Sequence, residues 1–133
     1  MLLLDTHALI WLVEGSVQLG RRSSRLADDA LARGAIGVAA ISFWEVAMLA
    51  GRRRIVLDLP TAEWRLRVLG LGVSELPLTG DIAITAAELH GLHADPADRL
   101  IVATAVATHA TLLTADDRIL AWRATVARRD ARR

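Results

Sequence analysis

The chain has 133 residues, of which 53% are hydrophobic and 23% are charged. This length predicts one domain over residues 1–133, and the composition excludes an intrinsically disordered chain because burial of apolar surface can offset the entropy of folding. The sequence contains no cysteine, which excludes disulfides and thiolate metal sites and favours a cytoplasmic location.

The charges of the chain are strongly biased in type. All 16 basic residues are arginine, and 15 residues are acidic, so the net charge is +1. If four of the acids faced a metal ion, 11 acids would remain against the 16 arginines, an excess of 5 positive charges. Such a surface suits the phosphate backbone of a nucleic acid. A simple preference for arginine over lysine explains the same composition, so charge alone does not decide the question.

Two apolar stretches are candidates for a targeting signal or a membrane segment. The start, MLLLDTHALI, has no basic leader and carries Asp5 inside its apolar run, which is unlike a secretory signal. The longest uncharged stretch, Leu100–Ala115, contains four threonines and His109 and is shorter than a membrane span. We therefore expect no export signal and no membrane segment, and we expect the second stretch to be buried core.

Hydrophobic periodicity predicts strands that alternate with helices along the first half of the chain. An apolar strand is followed by an amphipathic helix, and a second helix ends at a glycine before the next strand and helix. The predicted elements are a strand at Leu2–Leu4, a helix from Thr6 to about Glu14, a helix over 23–33 that ends at Gly34, a strand at Ala35–Ile41 and a helix from Ser42 to about Ala50.

The same alternation continues through the second half. A final arginine-rich tail, after about residue 128, is expected to be frayed. The predicted elements are a helix from Pro60 and Thr61 toward Leu69, a strand at Val73–Leu76, a helix from Thr79 to about His90, a helix from Asp95 and Pro96 to about His109, a strand at Thr111–Leu113, a short helix from Asp116 or Asp117, and an edge strand at Thr125–Ala127.

This order of elements predicts an α/β fold. Strands connected through helices at this spacing form right-handed crossover units, which build a mainly parallel sheet with helices on both faces. We therefore expect a three-layer α/β/α sandwich. No internal repeat, low-complexity segment or linker divides the chain.

Four acids are predicted to meet at one edge of this sheet. Asp5 follows the first strand, Glu45 lies in the first turn after the second, and Asp116 follows the strand that ends near residue 113. Asp98 lies in the first turn of a neighbouring helix. Because the carboxyl ends of parallel strands share an edge where ligand sites form, we expect all four carboxylates to converge there.

Helix capping is a competing explanation for each acid taken alone. A carboxylate near a helix N-terminus accepts bonds from free backbone amides and is favoured by the helix dipole. Ser42–Glu45 matches a capping box, Asp95–Asp98 resembles one, and Asp5 and Asp116 have the positions of simple N-caps.

Capping does not explain why Glu45 and Asp98 stand among apolar residues, in AAISFWEVAMLA and DPADRLIVATA. A carboxylate buried without a cation is costly, and four carboxylates close together repel one another. A divalent cation removes both problems, and oxygen ligands suit Mg²⁺ or Mn²⁺. Such an ion activates water and shields charge on a phosphoryl oxygen, which is the chemistry of phosphodiester hydrolysis. The sequence leaves open whether one ion or two would bind.

With these four acids in this order, the sequence resembles the PIN-domain nucleases, and within them the VapC toxins of bacterial toxin–antitoxin pairs. The resemblance covers nearly the whole chain and is carried by four segments, LLLDTHALIW, ISFWEVAML, DPADRLIVATA and LLTADDRIL. It implies that the metal-binding positions are Asp5, Glu45, Asp98 and Asp116, and that the hydroxyl residues beside the site are Thr6 and Thr114.

The resemblance also implies a PIN-like fold, Mg²⁺-dependent endonucleolytic cleavage of RNA, homodimerisation and inhibition by a cognate VapB-type antitoxin. Two features depart from the family pattern, namely the run Arg52–Arg54 and the second acid, Asp117, beside Asp116. Asp116 is taken as the ligand because TAD aligns with the family's Thr-x-Asp. Asp117 would then point outward or add a contact behind the ligands.

Three further residues were considered as site residues. Arg99 is a candidate either to hold the scissile phosphate or to pair with a carboxylate across the site. His90 and His93, spaced by one helical turn and with Asp95 nearby, form a candidate zinc site, but a surface histidine pair at a helix end is the interpretation we favour.

Other enzyme classes on α/β sheets fit the sequence poorly. A receiver domain or a haloacid-dehalogenase-like phosphatase requires an active-site lysine, and a Walker-type enzyme requires a glycine-rich phosphate loop; this chain has neither. The remaining alternative is a PIN-like module that binds RNA or an antitoxin without cutting. The presence of all four acids favours the nuclease.

Overall fold

The computed structural model describes residues 1–133. Local sequence patterns explain many of the element boundaries, since four helices begin after a residue whose side chain caps them and three of the strands are short, mainly apolar runs. The elements are β1 Leu2–Leu4, α1 Thr6–Glu14, α2 Arg21–Ala32, β2 Ile36–Ala39, α3 Ile41–Gly51, α4 Thr61–Gly70, β3 Ser74–Leu76, α5 Gly80–Glu88, α6 Pro96–Thr108, β4 Thr111–Thr114, α7 Asp117–Ala121 and β5 Arg128–Asp130.

The five strands form one sheet in the order β3-β2-β1-β4-β5, and every neighbouring pair is parallel. Leu3 of β1 lies opposite Gly37 of β2 on one side and Leu112 of β4 on the other. The chain order reverses between β1 and β4, and the crevice at the carboxyl ends of such strands is where α/β folds bind ligands. The predicted parallel α/β architecture is therefore confirmed.

Both faces of the sheet are buried. Successive side chains of a strand point to opposite faces, so Leu2 and Leu4 of β1 belong to one hydrophobic cluster and Leu3 belongs to another. Trp64 of α4 is packed in the first cluster and Trp122, after α7, in the second. Helices therefore cover the sheet on both sides, as the three-layer prediction required. None of the helices combines the length and the hydrophobicity that crossing a bilayer requires.

The C-terminal segment differs from its prediction. The last strand is Arg128–Asp130 rather than Thr125–Ala127, and the tail after it is packed rather than frayed. Ala131 is fully buried, and its carbonyl accepts a 2.9 Å bond from the amide of Gly20. A Cβ at Gly20 would lie 2.0 Å from a backbone atom of Arg133, so only glycine permits this approach. Backbone hydrogen bonds hold the segment in place. Such bonds cannot be predicted from its arginine-rich sequence.

A bidentate ion pair joins α4 to β3 and provides a test of the fold. Nε and Nη2 of Arg65 donate to the two carboxylate oxygens of Glu75 at 2.7 and 2.8 Å. The hydrogen bonds from Arg65 hold the pKa of Glu75 below its ordinary value. A carboxyl whose pKa is lowered in the folded state stabilises the fold above its unfolded pKa, and that stabilisation is lost as the pH falls through the lowered value.

We expect Glu75→Gln to lower the midpoint of thermal unfolding at about pH 7 by no more than a few degrees, because the pair is partly exposed. At about pH 3 the difference from the wild type should shrink, since Glu75 is then largely protonated in the unfolded chain. Asp58→Asn removes the more exposed pair with Arg67 on the same helix and should change neither midpoint. A pH-independent difference for Glu75→Gln would contradict this account.

Candidate active site

A cleft of about 500 Å³ lies at the carboxyl edge of the sheet, and all four predicted acids line it. They come from four separate segments of the chain, namely the end of β1, the second turn of α3, the first turn of α6 and the residue before α7. Other cleft residues include Thr6, Asp95, Arg118 and Arg132. The sheet topology therefore brings together the side chains that the sequence grouped.

Asp5 is the most buried of the four acids, with 8% of its surface exposed. It ends β1 and caps α1, and its Oδ1 accepts a 2.8 Å bond from the amide of Ala8. Its Oδ2 accepts a hydrogen bond from the hydroxyl of Thr114, at the end of β4. Burial raises the pKa of Asp5 above its ordinary value, and these two bonds oppose only part of the rise. The apolar sequence around Glu45 and Asp98 makes those two acids the hardest to explain without metal, but in the structure Asp5 is the more deeply buried.

The side chain of Glu45 is held by a hydrogen bond from the first residue of α1. The Thr6 hydroxyl donates to Oε1 of Glu45 at 2.5 Å and lies 3.0 Å from the Ser42 hydroxyl. The capping-box alternative is wrong here, because α3 already begins at Ile41 and Ala40 caps it without a side-chain bond. Burial raises the pKa of Glu45, the bond from Thr6 lowers it in part, and the negative charge of Asp98 adds to the rise.

Asp98 is free to face the cleft because another residue caps its helix. Oδ1 of Asp95 accepts a 3.1 Å bond from the amide of Asp98. The Asp98 carboxylate lies instead against His93, with Nε2 of the ring 2.7 Å from Oδ2. Burial raises the pKa of Asp98, the His93 bond opposes this, and the negative charges of Asp95 and Asp116 add to it.

Asp116 serves two purposes with its two oxygens. Oδ1 caps α7 by accepting from the amides of Arg118 and Ile119, at 2.8 and 3.4 Å. Oδ2 faces the cleft, 3.2 Å from Nη2 of Arg118 and 3.9 Å from Nε2 of His93. Burial acts to raise the pKa of Asp116, but the bonds from the Arg118 side chain and backbone outweigh it, and the pKa is lowered.

His93, which the sequence offered only as half of a zinc or surface pair with His90, contacts Asp98, and sequence reasoning missed this contact. Its side chain is only 14% exposed, and its ring nitrogen and the carboxylate oxygens of Asp98 and Asp116 all lie within 4.8 Å of one another. The predicted surface pair with His90 is wrong, because α5 ends at Glu88 and both histidines lie in the following loop. The available signal was the position of His93, directly before the turn that presents Asp98.

Neither Arg99 nor Asp117 lines the cleft. Arg99 has neither of the two roles predicted for it. The Arg99 guanidinium makes five hydrogen bonds to backbone carbonyls, so it neither pairs with a carboxylate nor points at a phosphate position. It ties the loop after α5 to α6. The Asp117 side chain is 81% exposed and pairs with Arg132 at 2.6 Å. Asp117 therefore points outward, one of the two outcomes considered.

The donor set of this cleft fits a divalent metal ion. Burial raises the pKa of three of the carboxyls, and a bound cation would favour their ionised form. Asp98, Asp116 and His93 offer two carboxylate oxygens and one imidazole nitrogen at a spacing that a single ion could bridge. Carboxylate ligands favour hard ions, and an imidazole nitrogen is accepted by several transition metals.

Comparison with known proteins identifies a family that matches nearly the whole chain. Residues 2–123 match the PIN domain. The chain is 37% identical over 122 residues to Ribonuclease VapC22 of Mycobacterium tuberculosis, a match that covers 91% of each chain. Among solved structures, FitAcB from Neisseria gonorrhoeae superposes with a TM-score of 0.68 at 25% identity over 98% of each chain. A toxin–antitoxin complex from Klebsiella pneumoniae, at 22% identity, a TM-score of 0.62 and 91% of each chain, shares the fold.

The chain therefore belongs to the PIN-domain family. Within that family its similarity is to the VapC-type proteins, and it extends over nearly the whole chain. The resemblance stated from the sequence segments is thereby confirmed.

Replacing Asp5 tests whether its buried charge is kept at the expense of stability. A carboxyl with a raised pKa destabilises the fold at neutral pH when it is ionised. Asn can still accept the capping bond from Ala8, so in EDTA we expect Asp5→Asn to unfold at a temperature equal to or a few degrees above that of the wild type. Mg²⁺ should raise the unfolding temperature of the wild type and have a smaller effect on the variant.

The control for this measurement is Asp28→Asn, which removes an exposed carboxylate on α2 and should leave the Mg²⁺ response intact. If Asp5→Asn melted well below the wild type in EDTA while retaining the full Mg²⁺ response, Asp5 would be a structural cap only.

Proposed function

We propose that this protein is a metal-dependent endoribonuclease and the toxin of a toxin–antitoxin pair, with Asp5, Glu45, Asp98 and Asp116 as its metal-binding acids. One observation carries the proposal, which is that four carboxylates from distant segments line a single cleft while burial raises the pKa of three of them. Titratable groups perturbed in this way gather at functional sites. The similarity to Ribonuclease VapC22 supports RNA as the substrate.

The ion we propose is Mg²⁺, which Mn²⁺ would replace. Bound there, a divalent ion supplies Lewis acidity, which promotes ionisation of water and neutralises charge on a phosphodiester undergoing hydrolysis. The four acids would hold it, with Asp98 and Asp116 as the pair that already lies close together. His93 fixes Asp98 through a 2.7 Å hydrogen bond and so restrains one of these oxygens.

The remaining cleft residues position the acids and receive the substrate. Thr114 and Thr6 donate to Asp5 and Glu45, and each bond holds one carboxylate oxygen in a fixed direction. Arg118 is 64% exposed at the mouth, where it is free to turn from Asp116 toward a phosphate of the RNA. Buried hydroxyls thus orient the acids, while an exposed guanidinium meets the polyanion.

The toxin assignment includes partners that the single chain does not contain. We propose inhibition by a cognate VapB-type antitoxin, a homodimeric toxin and a cytoplasmic location. The fold is shared with a protein described as part of a toxin–antitoxin complex, and FitAcB is a second structural neighbour. Exposed large apolar side chains, such as Trp44, Leu66 and Ile84, provide surface that protein partners would cover.

Cleavage of RNA by purified protein tests the nuclease. We expect cleavage of a structured RNA in Mg²⁺, none in EDTA, and a loss of at least about a hundredfold in Asp98→Asn without loss of fold. Asp81→Asn, which changes an exposed acid in the first turn of α5, should cleave normally. Normal cleavage with earlier melting in Asp98→Asn would make Asp98 a structural helix residue, and RNA binding without cleavage in Mg²⁺ or Mn²⁺ would support the non-cutting module.

Expression in cells tests the toxin assignment separately. We expect expression of the chain to arrest growth, because cleaved RNA cannot be quickly replaced, and expression of Asp98→Asn at the same level to be harmless. Co-expression of an adjacent small gene should restore growth. Colony counts and growth curves provide the measurement, and unaffected growth with active, soluble protein would refute the toxin role while leaving the nuclease intact.

A further inference from the structure

A second cleft, of about 460 Å³, lies between the N-terminal half of α2 and strand β5. Four arginines and a single acid line it. We call it the arginine groove and define it by Arg22, Arg129 and Arg133, with Asp130 as its acid. Arg128 also lines it but is excluded from the definition, because its guanidinium donates to backbone carbonyls and lies over the ring of Trp122.

The positive charge of the arginine groove is not neutralised by the protein. Arg22 and Arg129 are exposed, and neither guanidinium has a hydrogen-bond acceptor or an ion-pair partner within the chain. The one acid, Asp130, is already bound by Arg132 at 2.9 and 3.0 Å, and Arg133 lies 4.0 Å from it. The groove therefore presents donors that an external anion would satisfy.

An ion pair links the arginine groove to the acidic cleft. Asp130 lines the groove, and Arg132, which is bonded to Asp130, lines the cleft. Arg132 also bonds Asp117 beside α7, so its guanidinium is fixed between the two clefts. The two clefts are therefore neighbours on the surface, with Arg132 between them.

The acidic cleft needs such a neighbour in order to bind a polyanion. Five acids line it against two arginines, so it repels phosphates unless metal is bound, and affinity must come largely from positive surface outside it. We propose that the arginine groove binds the phosphodiester backbone of the same RNA strand whose scissile bond lies in the acidic cleft. This inference rests on the proposed nuclease function. The position of the groove beside the cleft, joined to it by the Arg132–Asp130 pair, favours RNA over an acidic protein segment as the occupant.

The test compares RNA binding by two double variants that each lose two positive charges. Arg22→Gln/Arg129→Gln alters the arginine groove, and Arg52→Gln/Arg54→Gln alters exposed arginines beyond the opposite end of α3 from Glu45. All proteins carry Asp98→Asn so that the RNA stays intact. Fluorescence anisotropy measures binding, over a range of salt concentrations, of a uridine tetranucleotide that spans only the cleft and of a longer uridine strand that reaches the groove.

We expect the groove variant to bind the longer strand about five- to tenfold more weakly at low salt, with a salt dependence shallower by about 1.4 in log–log slope, because two phosphate contacts are lost from a single strand. Binding of the tetranucleotide should not change, and the control variant should behave as the parent does on both RNAs. An unchanged long-strand affinity, or equal losses on both RNAs, would overturn the proposal.

The same variants distinguish the other possible occupant. If the groove variant bound RNA normally but lost affinity for the co-expressed antitoxin, the groove would be a protein-binding surface and the RNA proposal would be wrong. Because the readout is binding, it does not depend on cleavage. Failure of the proposed nuclease function would appear in the cleavage assay and would leave the salt-dependent binding result to be judged on its own.

Discussion

The buried charge of Asp5 is the constraint on which the rest of the site depends. The carboxylate lies between the ends of β1 and β4, where Thr114 donates to one oxygen and the amide of Ala8 donates to the other. The bond from Thr114 requires β1 and β4 to be neighbours in the register that sets Leu4 opposite Leu113. The strand pairing that buries the leucines therefore also fixes the first acid of the cleft, so packing and site geometry cannot be changed independently.

Helix capping and a carboxylate oxygen that faces the cleft, which compete as explanations in the sequence, are compatible in the folded protein. Asp116 caps α7 with one oxygen and presents the other to the cleft. Asp95 caps α6 in place of Asp98, so the Asp98 carboxylate can face His93. A carboxylate has two oxygens and a helix N-terminus engages only one, so capping orients a ligand rather than consuming it. Rigid helix ends thereby hold acids whose mutual repulsion would otherwise separate them.

The chain separates its charges in space, although its net charge is only +1. Acids are concentrated at the carboxyl edge of the sheet, and arginines without partners lie on the adjoining surface of α2 and β5. Arg118 and Arg132 stand at the boundary, each bound to acids of the neighbouring segments. A cleft lined mainly by acids is in this way placed next to a surface lined mainly by arginines, and neither neutralises the other.

The sequence by itself determined the periodic elements and the set of acids. Leu2–Leu4 and Thr6–Glu14 were predicted with the bounds that the structure has, because apolar runs and helical periodicity are local properties. The four acids were also grouped correctly at one sheet edge, since each follows a strand or opens a helix. Only the tertiary structure decided that His93 touches Asp98, that Arg99 binds carbonyls and that the arginine-rich tail forms β5. These three contacts depend on the path of a loop and on backbone partners that are distant in sequence. Local sequence patterns cannot predict either.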